Sequence, residues 1–222
     1  MHVSIRVVIA DDHPVVRDGL RLTIERSGKD IELVGEASDG MEVLAMAKGR
    51  TTPADVFILD IIMPNLNGIE TARELLKESP AAKVIILSLH DTKGMVEEAL
   101  AAGARGYLTK EMASRTVVDA VTEVHAGRYY LCPTIARFVV EAGLMGKEGS
   151  RLRGAAPMAL TAQERKVLQL IAEGHSTKEI AAMLDVSVNT AHAHRNNVMA
   201  KLNIHKQADL VHYALKAGIS KL

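Results

Sequence analysis

The chain has 222 residues, of which 48% are hydrophobic and only 3% aromatic, with no Trp. That length suits one large or two modest domains with aliphatic cores. Lys and Arg together number 27, as do Asp and Glu, so the net charge is zero. The single Cys132 excludes an intramolecular disulfide and a zinc site built on several cysteines, in agreement with a cytoplasmic location.

The charges are divided unevenly along the chain. Residues 1–140 hold 16 basic and 20 acidic residues, whereas residues 156–222 hold 8 basic and 5 acidic residues. This division suits a cation-binding domain followed by a domain that binds a polyanion. No apolar run approaches the roughly 18–20 residues that a membrane span requires. The N-terminus also lacks the composition of a signal peptide, so we expect no membrane partner.

The first part of the chain alternates short runs rich in Val, Ile and Leu with helical patterns. Consecutive apolar positions are typical of parallel strands that are covered on both faces. Five β–α units predict a doubly wound, flavodoxin-like α/β fold around a five-stranded parallel sheet. The predicted strands are 3–10, 31–37, 55–59, 83–88 and 106–109, and the predicted helices are 14–26, 40–48, 68–78, 92–102 and 112–127.

The remaining part is predicted to be helical throughout. Residues 133–143 form a short helix, and 145–158 have the Gly, Lys, Arg and Ser composition of a mobile linker. Four helices follow and make an all-α domain. Thr161 with Glu164, and Ser176 with Glu179, have the spacing of capping boxes at the first two helices. The third helix covers about 188–202 and the fourth 207–217.

Acidic and basic side chains fall at the ends of the predicted strands. Asp11 and Asp12 end the first strand, Asp60 the third, Ser88 the fourth and Lys110 the fifth. If these ends meet at one sheet edge, the carboxylates form a Mg²⁺ site, because Mg²⁺ prefers oxygen ligands. Asp60 can then attack a phosphoryl donor, Lys110 can neutralise the phosphoryl oxygens, and Ser88 can donate a hydrogen bond to one of them.

The segments IADDHPVVRDGL, LDIIMPNLNGIE, ILSLHD and GARGYLTKE resemble the receiver domain of two-component response regulators over about residues 3–127. The resemblance implies that a sensor histidine kinase phosphorylates Asp60. It also implies that Asp12, Asp60 and the Ile62 main-chain carbonyl hold Mg²⁺, and that Ser88 and Tyr107 move in response to phosphorylation.

One position departs from that resemblance. Many receivers have Pro, often cis, after the lysine, but Glu111 follows Lys110 here. A non-proline cis bond costs about 2.5–4 kcal/mol, so the geometry of this bond stays open.

Residues 160–218, from LTAQERKV to YALKAG, resemble the LuxR-type helix-turn-helix of NarL/FixJ-type regulators. In such a unit the second helix enters the major groove of double-stranded DNA. Small and amide side chains then contact base edges, and cations contact phosphates. The predicted DNA-contacting residues are Lys178, Ser187, Asn189, Thr190, His192, Ala193, Arg195, Asn196 and Lys201.

Two details of the helix-turn-helix resemblance bear on specificity and assembly. Family members usually have Val at 191 and a cation at 192, so Ala191 and His192 leave the base preference open. The fourth helix mediates dimerisation in the family, which implies a homodimer when the protein is phosphorylated. The residues predicted for that contact are Leu210, Val211, Ala214 and Leu215.

These features predict a receiver domain at 1–128, a short helix and linker at 129–157, and a DNA-binding domain at 158–222. We expect a transcriptional regulator in which the resting receiver covers the recognition helix until Asp60 is phosphorylated. An aspartyl-phosphate phosphatase is disfavoured because Ile62 replaces the second Asp of such enzymes, so we expect no enzyme. A quorum sensor is disfavoured because Asp11, Asp12, Asp60 and Lys110 form the set expected of a site that accepts a phosphoryl group. A phosphorylation-independent regulator that acts through protein contacts stays open.

Overall fold

The computed structural model describes residues 4–48, 54–89, 92–141, 160–202 and 204–220. The predicted linker at 145–158 lies outside these residues. Strands and helices alternate in the N-terminal domain. The strands are β1 (Ile5–Ala10), β2 (Ile31–Ala37), β3 (Val56–Asp60), β4 (Lys83–Ser88), β5 (Gly106–Thr109) and β6 (Tyr130–Leu131). The helices are α1 (Pro14–Glu25), α2 (Gly40–Lys48), α3 (Gly68–Glu78), α4 (Lys93–Ala101), α5 (Lys110–His125) and α6 (Pro133–Glu141).

The six strands form one parallel sheet in the order β2-β1-β3-β4-β5-β6. Alternate side chains of each strand enter two separate cores. Val7 and Ile9 pack towards α1 and α5, whereas Val8 and Ala10 pack towards α2, α3 and α4. Both faces of the sheet are therefore covered, which explains why the strands are apolar at consecutive positions.

The doubly wound parallel fold is confirmed, with one correction to the strand count. The sixth strand, β6, was not predicted because a two-residue strand is too short to show a periodic pattern. The short helix predicted near 133–143 is present as α6. Its Ile135 and Val139 are buried in the same core as α4. The segment that follows residue 128 therefore extends the N-terminal domain before the chain reaches the linker.

The C-terminal domain consists of α7 (Ala162–Ala172), α8 (Thr177–Met183), α9 (Val188–Leu202) and α10 (Gln207–Lys216). Both predicted capping boxes are present, at Thr161 with Glu164 and at Ser176 with Glu179. Apolar residues from all four helices share one core. None of the described helices has the length and apolarity to cross a membrane.

Candidate functional site

The acidic side chains meet at the carboxyl edge of the sheet because β1 and β3 are neighbouring parallel strands. Asp11 follows β1 directly, Asp60 is the last residue of β3, and Lys110 begins α5 immediately after β5. Asp11 is fully buried and Asp60 is 3% exposed. The structure thus brings together the predicted acceptor and two of its predicted partners, at the edge where parallel α/β sheets usually bind ligands.

Lys110 bridges two of the buried carboxylates. Its Nζ lies 2.6 Å from Asp11 Oδ2 and 2.9 Å from Asp60 Oδ2. Burial of Lys110 lowers the pKa of its ammonium group, but the charge of Asp60 and the hydrogen bonds to both carboxylates outweigh burial, and the pKa is raised. Lys110 therefore stays charged and can meet a second anion, such as a phosphoryl group, at the same edge.

Asp60 is an unusually basic carboxylate in this setting. Burial is the main cause that raises its pKa to about 6, and the negative charge of Asp11 adds to it. The charge of Lys110, its hydrogen bond and a backbone hydrogen bond from Ile62 act in the opposite direction. Crowded carboxylates of this kind repel one another unless a cation is placed among them.

The donor set fits a divalent cation. Ligand atoms of Asp11, Asp12, His13 and Asp60 all lie within 4.8 Å of one another. Three of the four residues supply carboxylate oxygens, the ligands that Mg²⁺ prefers, while water and phosphate usually complete its shell. The Ile62 carbonyl stays a predicted fourth ligand. His13 was missed as a member of this group because a single His after two acids has no distinctive spacing.

The two residues that are predicted to respond to phosphorylation lie on β4, which is next to the strand of Asp60, and on β5, the strand after that. Ser88 ends β4 and is 2% exposed, and Tyr107 in β5 is fully buried. Their response to phosphorylation stays a prediction. The bond that follows Lys110 is trans, as are all peptide bonds of the described residues. Glu111, which stands where many receivers have Pro, is therefore joined to Lys110 by an ordinary trans bond.

A helix-turn-helix is formed by α8, the turn at 184–187, and α9. Asp185 takes a positive φ of 51° in the turn, a conformation that Asp tolerates better than most residues. The Ser187 hydroxyl accepts a hydrogen bond from the Thr190 main-chain N–H at 3.0 Å, so Ser187 caps α9 as predicted. Most of the predicted DNA-contacting side chains are exposed together: Lys178, Ser187, Asn189, Thr190, His192, Ala193 and Asn196.

Two of the predicted phosphate-contacting cations are engaged within the domain. Lys201 Nζ lies 2.6 Å from Glu164 Oε2, the glutamate of the first capping box. Arg195 Nη2 donates to Gln207 Oε1 at 3.1 Å. Both side chains are partly buried. A phosphate would have to compete with these partners, whereas Lys178 is already exposed.

The residues predicted for dimerisation divide into two sets. Leu210 and Ala214 are fully buried in the core of the C-terminal domain, because they hold α10 against the other helices. Val211 and Leu215 are only partly buried. The part of α10 available to a second copy therefore lies on the side of Val211 and Leu215, and this contact stays a prediction.

The receiver does not cover the recognition helix in this structure, contrary to expectation, since the α9 side chains that are predicted to contact bases are exposed. The N-terminal domain instead contacts α7. Gln169, fully buried, donates through Nε2 to the Met63 carbonyl at 2.8 Å and accepts through Oε1 from the Asn67 main-chain N–H at 3.1 Å. These bonds reach the 61–67 segment directly after Asp60. Gln169 was missed, although its polar side chain stands out between Leu168 and Leu170.

Charged residues extend the contact between α7 and the N-terminal domain. Arg165 pairs with Glu98 of α4 and lies 3.4 Å from Glu70 of α3, and Lys166 lies 3.7 Å from Glu74. Burial raises the pKa of Glu70, against the charges of Arg73, Arg165 and Lys166. Near the end of α10, Gly218 lies against Met95 of α4, so closely that an added Cβ would come within 2.0 Å of Met95 Cε.

Comparison with known proteins confirms both family resemblances. Residues 7–122 match the response regulator receiver domain, and residues 158–214 match the bacterial regulatory proteins of the luxR family. The transcriptional regulatory protein MctR of Rhizobium johnstonii is 36% identical over 97% of this chain and 95% of its own length. Response regulator UvrY of Escherichia coli is 33% identical over the same shares. A similar solved structure is that of RcsB from Salmonella enterica serovar Typhimurium, bound to promoter P1flhDC in the presence of phosphomimetic BeF₃⁻. The two structures match with a TM-score of 0.64 and 25% sequence identity, over 95% of this chain and 98% of the RcsB chain.

Proposed function

Because the chain belongs to the response regulators that join a receiver domain to a LuxR-type DNA-binding domain, we propose that it is a transcriptional regulator controlled by phosphorylation of Asp60. The observation that carries the proposal is the buried cluster in which Lys110 contacts both Asp11 and Asp60. A sensor histidine kinase is the proposed donor. Because the target is genomic DNA, the site of action is the cytoplasm.

The residues of the cluster have distinct roles in phosphoryl transfer. An Asp60 oxygen forms a bond to phosphorus while the bond from phosphorus to the kinase histidine nitrogen breaks, and that nitrogen keeps the electron pair. Lys110 holds the phosphoryl oxygens. A Mg²⁺ ion held by Asp11, Asp12, Asp60 and the Ile62 carbonyl would neutralise charge on the same oxygens. Ser88 and Tyr107 then adjust to the new group.

Phosphorylation can be tested with a small phosphoryl donor. The purified protein is incubated with acetyl phosphate and Mg²⁺, and its intact mass is measured before the modified residue is mapped by peptide analysis. We expect one added phosphoryl group on Asp60 in the wild type and none in Asp60→Asn. Folded wild-type protein that gains no phosphoryl group at Asp60 would refute the proposal.

The contact between α7 and the 61–67 segment supports a route from Asp60 to DNA. Gln169 bonds to main-chain groups three and seven residues after the acceptor, so rearrangement of this segment acts directly on α7. The recognition helix is already exposed, whereas the end of α10 is held on α4 by the contact of Gly218 with Met95. Release would free α10 to dimerise, and a dimer would bind two half-sites separated by one or more helical turns.

The similar protein RcsB was solved on promoter DNA in the presence of a phosphomimetic group, which supports the proposal that the phosphorylated form binds DNA. A genomic DNA-binding map of Asp60→Asn beside the wild type tests it in cells. We expect the variant to lose most sites, because the release step is absent. Equal occupancy in both proteins would instead favour the phosphorylation-independent regulator that works through protein contacts.

A further inference from the structure

The exposed face of the recognition helix α9 carries no permanent charge. All of α9 is described by the structure, and its exposed residues include no Lys, Arg, Asp or Glu: Val188, Asn189, Thr190, His192, Ala193, Asn196, Asn197 and Ala200. His192 is the one titratable side chain in this set. The charge that these residues present to a polyanion therefore depends on whether a single imidazole holds a proton.

The two permanent cations of α9 are engaged by partners within their own domain. Lys201 Nζ lies 2.6 Å from Glu164 Oε2 of α7, and Arg195 Nη2 donates to Gln207 Oε1 of α10 at 3.1 Å. Proteins that bind double-stranded DNA usually meet its dense negative charge with free Lys and Arg side chains. Among the exposed positions of α9, His192 is where a further positive charge can form.

The acids on the elements that pack against α9 do not hold the His192 ring. On α7, Glu164 pairs with Lys201, whereas Arg165 and Lys166 pair with glutamates of the N-terminal domain. Within the described parts of the chain, no residue forms an ion pair or a hydrogen bond with the His192 side chain. A negatively charged partner for an imidazolium at this position must therefore come from a bound molecule. The exposed charged or titratable groups on the neighbouring elements are Lys178 and Glu179 of α8, Asp185 of the turn, and Asp209 and His212 of α10.

Protonation gives His192 the chemistry of a DNA-binding cation. Histidine is the side chain whose charge ordinarily changes between about pH 5 and 8. The imidazolium has two N–H donors and no acceptor, so it can donate to a phosphate oxygen or to the N7 and O6 acceptors of guanine. The neutral ring has only one donor and brings no charge. Because hydrogen bonds from charged donors are the stronger ones, DNA that contacts His192 favours the protonated ring.

We propose that His192 contacts DNA as an imidazolium, so that DNA binding takes up a proton and becomes tighter as the pH falls. The proposal rests on the function proposed above and adds a proton-dependent contact to its DNA-binding step. His192 lies three residues after Asn189 and four before Asn196, so the three side chains share one side of α9. When the imidazole is neutral, the exposed residues of α9 offer DNA only uncharged groups.

The test compares DNA affinities at about pH 6 and about pH 8 by fluorescence anisotropy. Ionic strength is kept equal, because salt alone changes such affinities. Full-length protein treated with acetyl phosphate is titrated onto a duplex obtained by binding-site selection with the wild type, and onto a scrambled duplex of the same composition. His192→Gln is neutral at both pH values, and His192→Lys is charged at both. His212→Gln, which replaces an exposed histidine outside α9, is the control.

The quantity compared between proteins is the ratio of the affinities at the two pH values. Other groups titrate in the same window, including Asp60 with its pKa of about 6, and their effect is common to all four proteins. We expect the wild type and His212→Gln to bind about tenfold or more tightly at the lower pH, the scale of one charged hydrogen bond. Both His192 variants should lose this pH dependence, because Gln binds weakly and Lys binds tightly at both pH values.

The two duplexes identify the DNA group that His192 contacts. A pH effect confined to the selected duplex places the contact on a base, and an effect on both duplexes places it on a phosphate. The inference is overturned if His192→Gln or His192→Lys keeps the ratio of affinities that the wild type shows, and in that case the proposed function stands. If the treated wild type binds neither duplex at either pH, the proposed function fails as well, which separates the two outcomes.

Discussion

Replacement of Gln169 by Met is the sharpest test of how the two domains communicate. Met has nearly the same length and keeps the helix, but it can neither donate to the Met63 carbonyl nor accept from the Asn67 N–H. In the docked arrangement both main-chain groups would lose their partner. When the domains separate, water would satisfy those groups. The substitution therefore raises the free energy of the docked arrangement relative to the open one.

The size of the effect follows from the number of bonds lost. A buried hydrogen bond contributes about 0.5–1.5 kcal/mol net, so loss of two costs roughly 1–3 kcal/mol. Because about 1.4 kcal/mol corresponds to a factor of ten, the ratio of open to docked molecules should rise roughly 5- to 150-fold. The fold of each domain should be preserved, since Gln169 lies between the domains.

Small-angle X-ray scattering and DNA affinity, both on unphosphorylated protein, measure that change. We expect Gln169→Met to be more extended than the wild type and to bind promoter DNA more tightly without phosphorylation. Gln163→Met, the same substitution on the same helix at a partly buried position, is the control and should behave as the wild type does. Equal size and equal DNA affinity in all three proteins would refute the role assigned to Gln169.

Three further predictions concern single sites. In the absence of divalent cations, the wild type should lose up to about 3 kcal/mol of stability as the pH rises from near 4 to above 6. The reason is that the raised pKa of Asp60, about 6, makes the folded state bind more protons than the unfolded state in that window. Asp60→Asn should show a smaller loss in denaturant titrations; an equal loss would contradict this reasoning. In binding-site selection, Asn196→Ala should relax preference at one base position, whereas Lys178→Ala should weaken all sites alike and lower the salt slope by about 1; the reverse result would reject the assignment. Gly218→Ala should loosen the docked arrangement in scattering because its Cβ would meet Met95, and added Met95→Ala should restore compactness in part, since the positive φ of 65° remains strained. No change on Gly218→Ala would show that this contact is unimportant.

The sequence was a good guide wherever the relevant signal is local or periodic. Consecutive apolar positions predicted the buried parallel strands, and the Thr161 and Ser176 capping boxes correctly placed two helix starts. The acids and Lys110 were found because parallel strands place their carboxyl ends at one edge of the sheet. Residues at the ends of neighbouring strands therefore lie close together, even when they are distant along the chain. The two-residue strand β6 escaped because it is too short to carry a period.

Side chains that act between elements could not be assigned in the same way. Lys201 has the character of a phosphate contact, yet the fold places it against Glu164. Leu210 and Ala214 have the apolar spacing of an interface, but they are buried in the core of their own domain. An apolar or cationic pattern shows that a side chain will have a partner, and it does not show which partner.

The chain therefore encodes its two domains, the carboxylate of the proposed acceptor Asp60 and the exposed face of the recognition helix in patterns that can be read one segment at a time. The docking of Gln169 on the segment after Asp60 depends on distances between residues about a hundred positions apart. Such distances are set by packing of complete elements, because no local preference of the backbone specifies where a distant helix comes to rest.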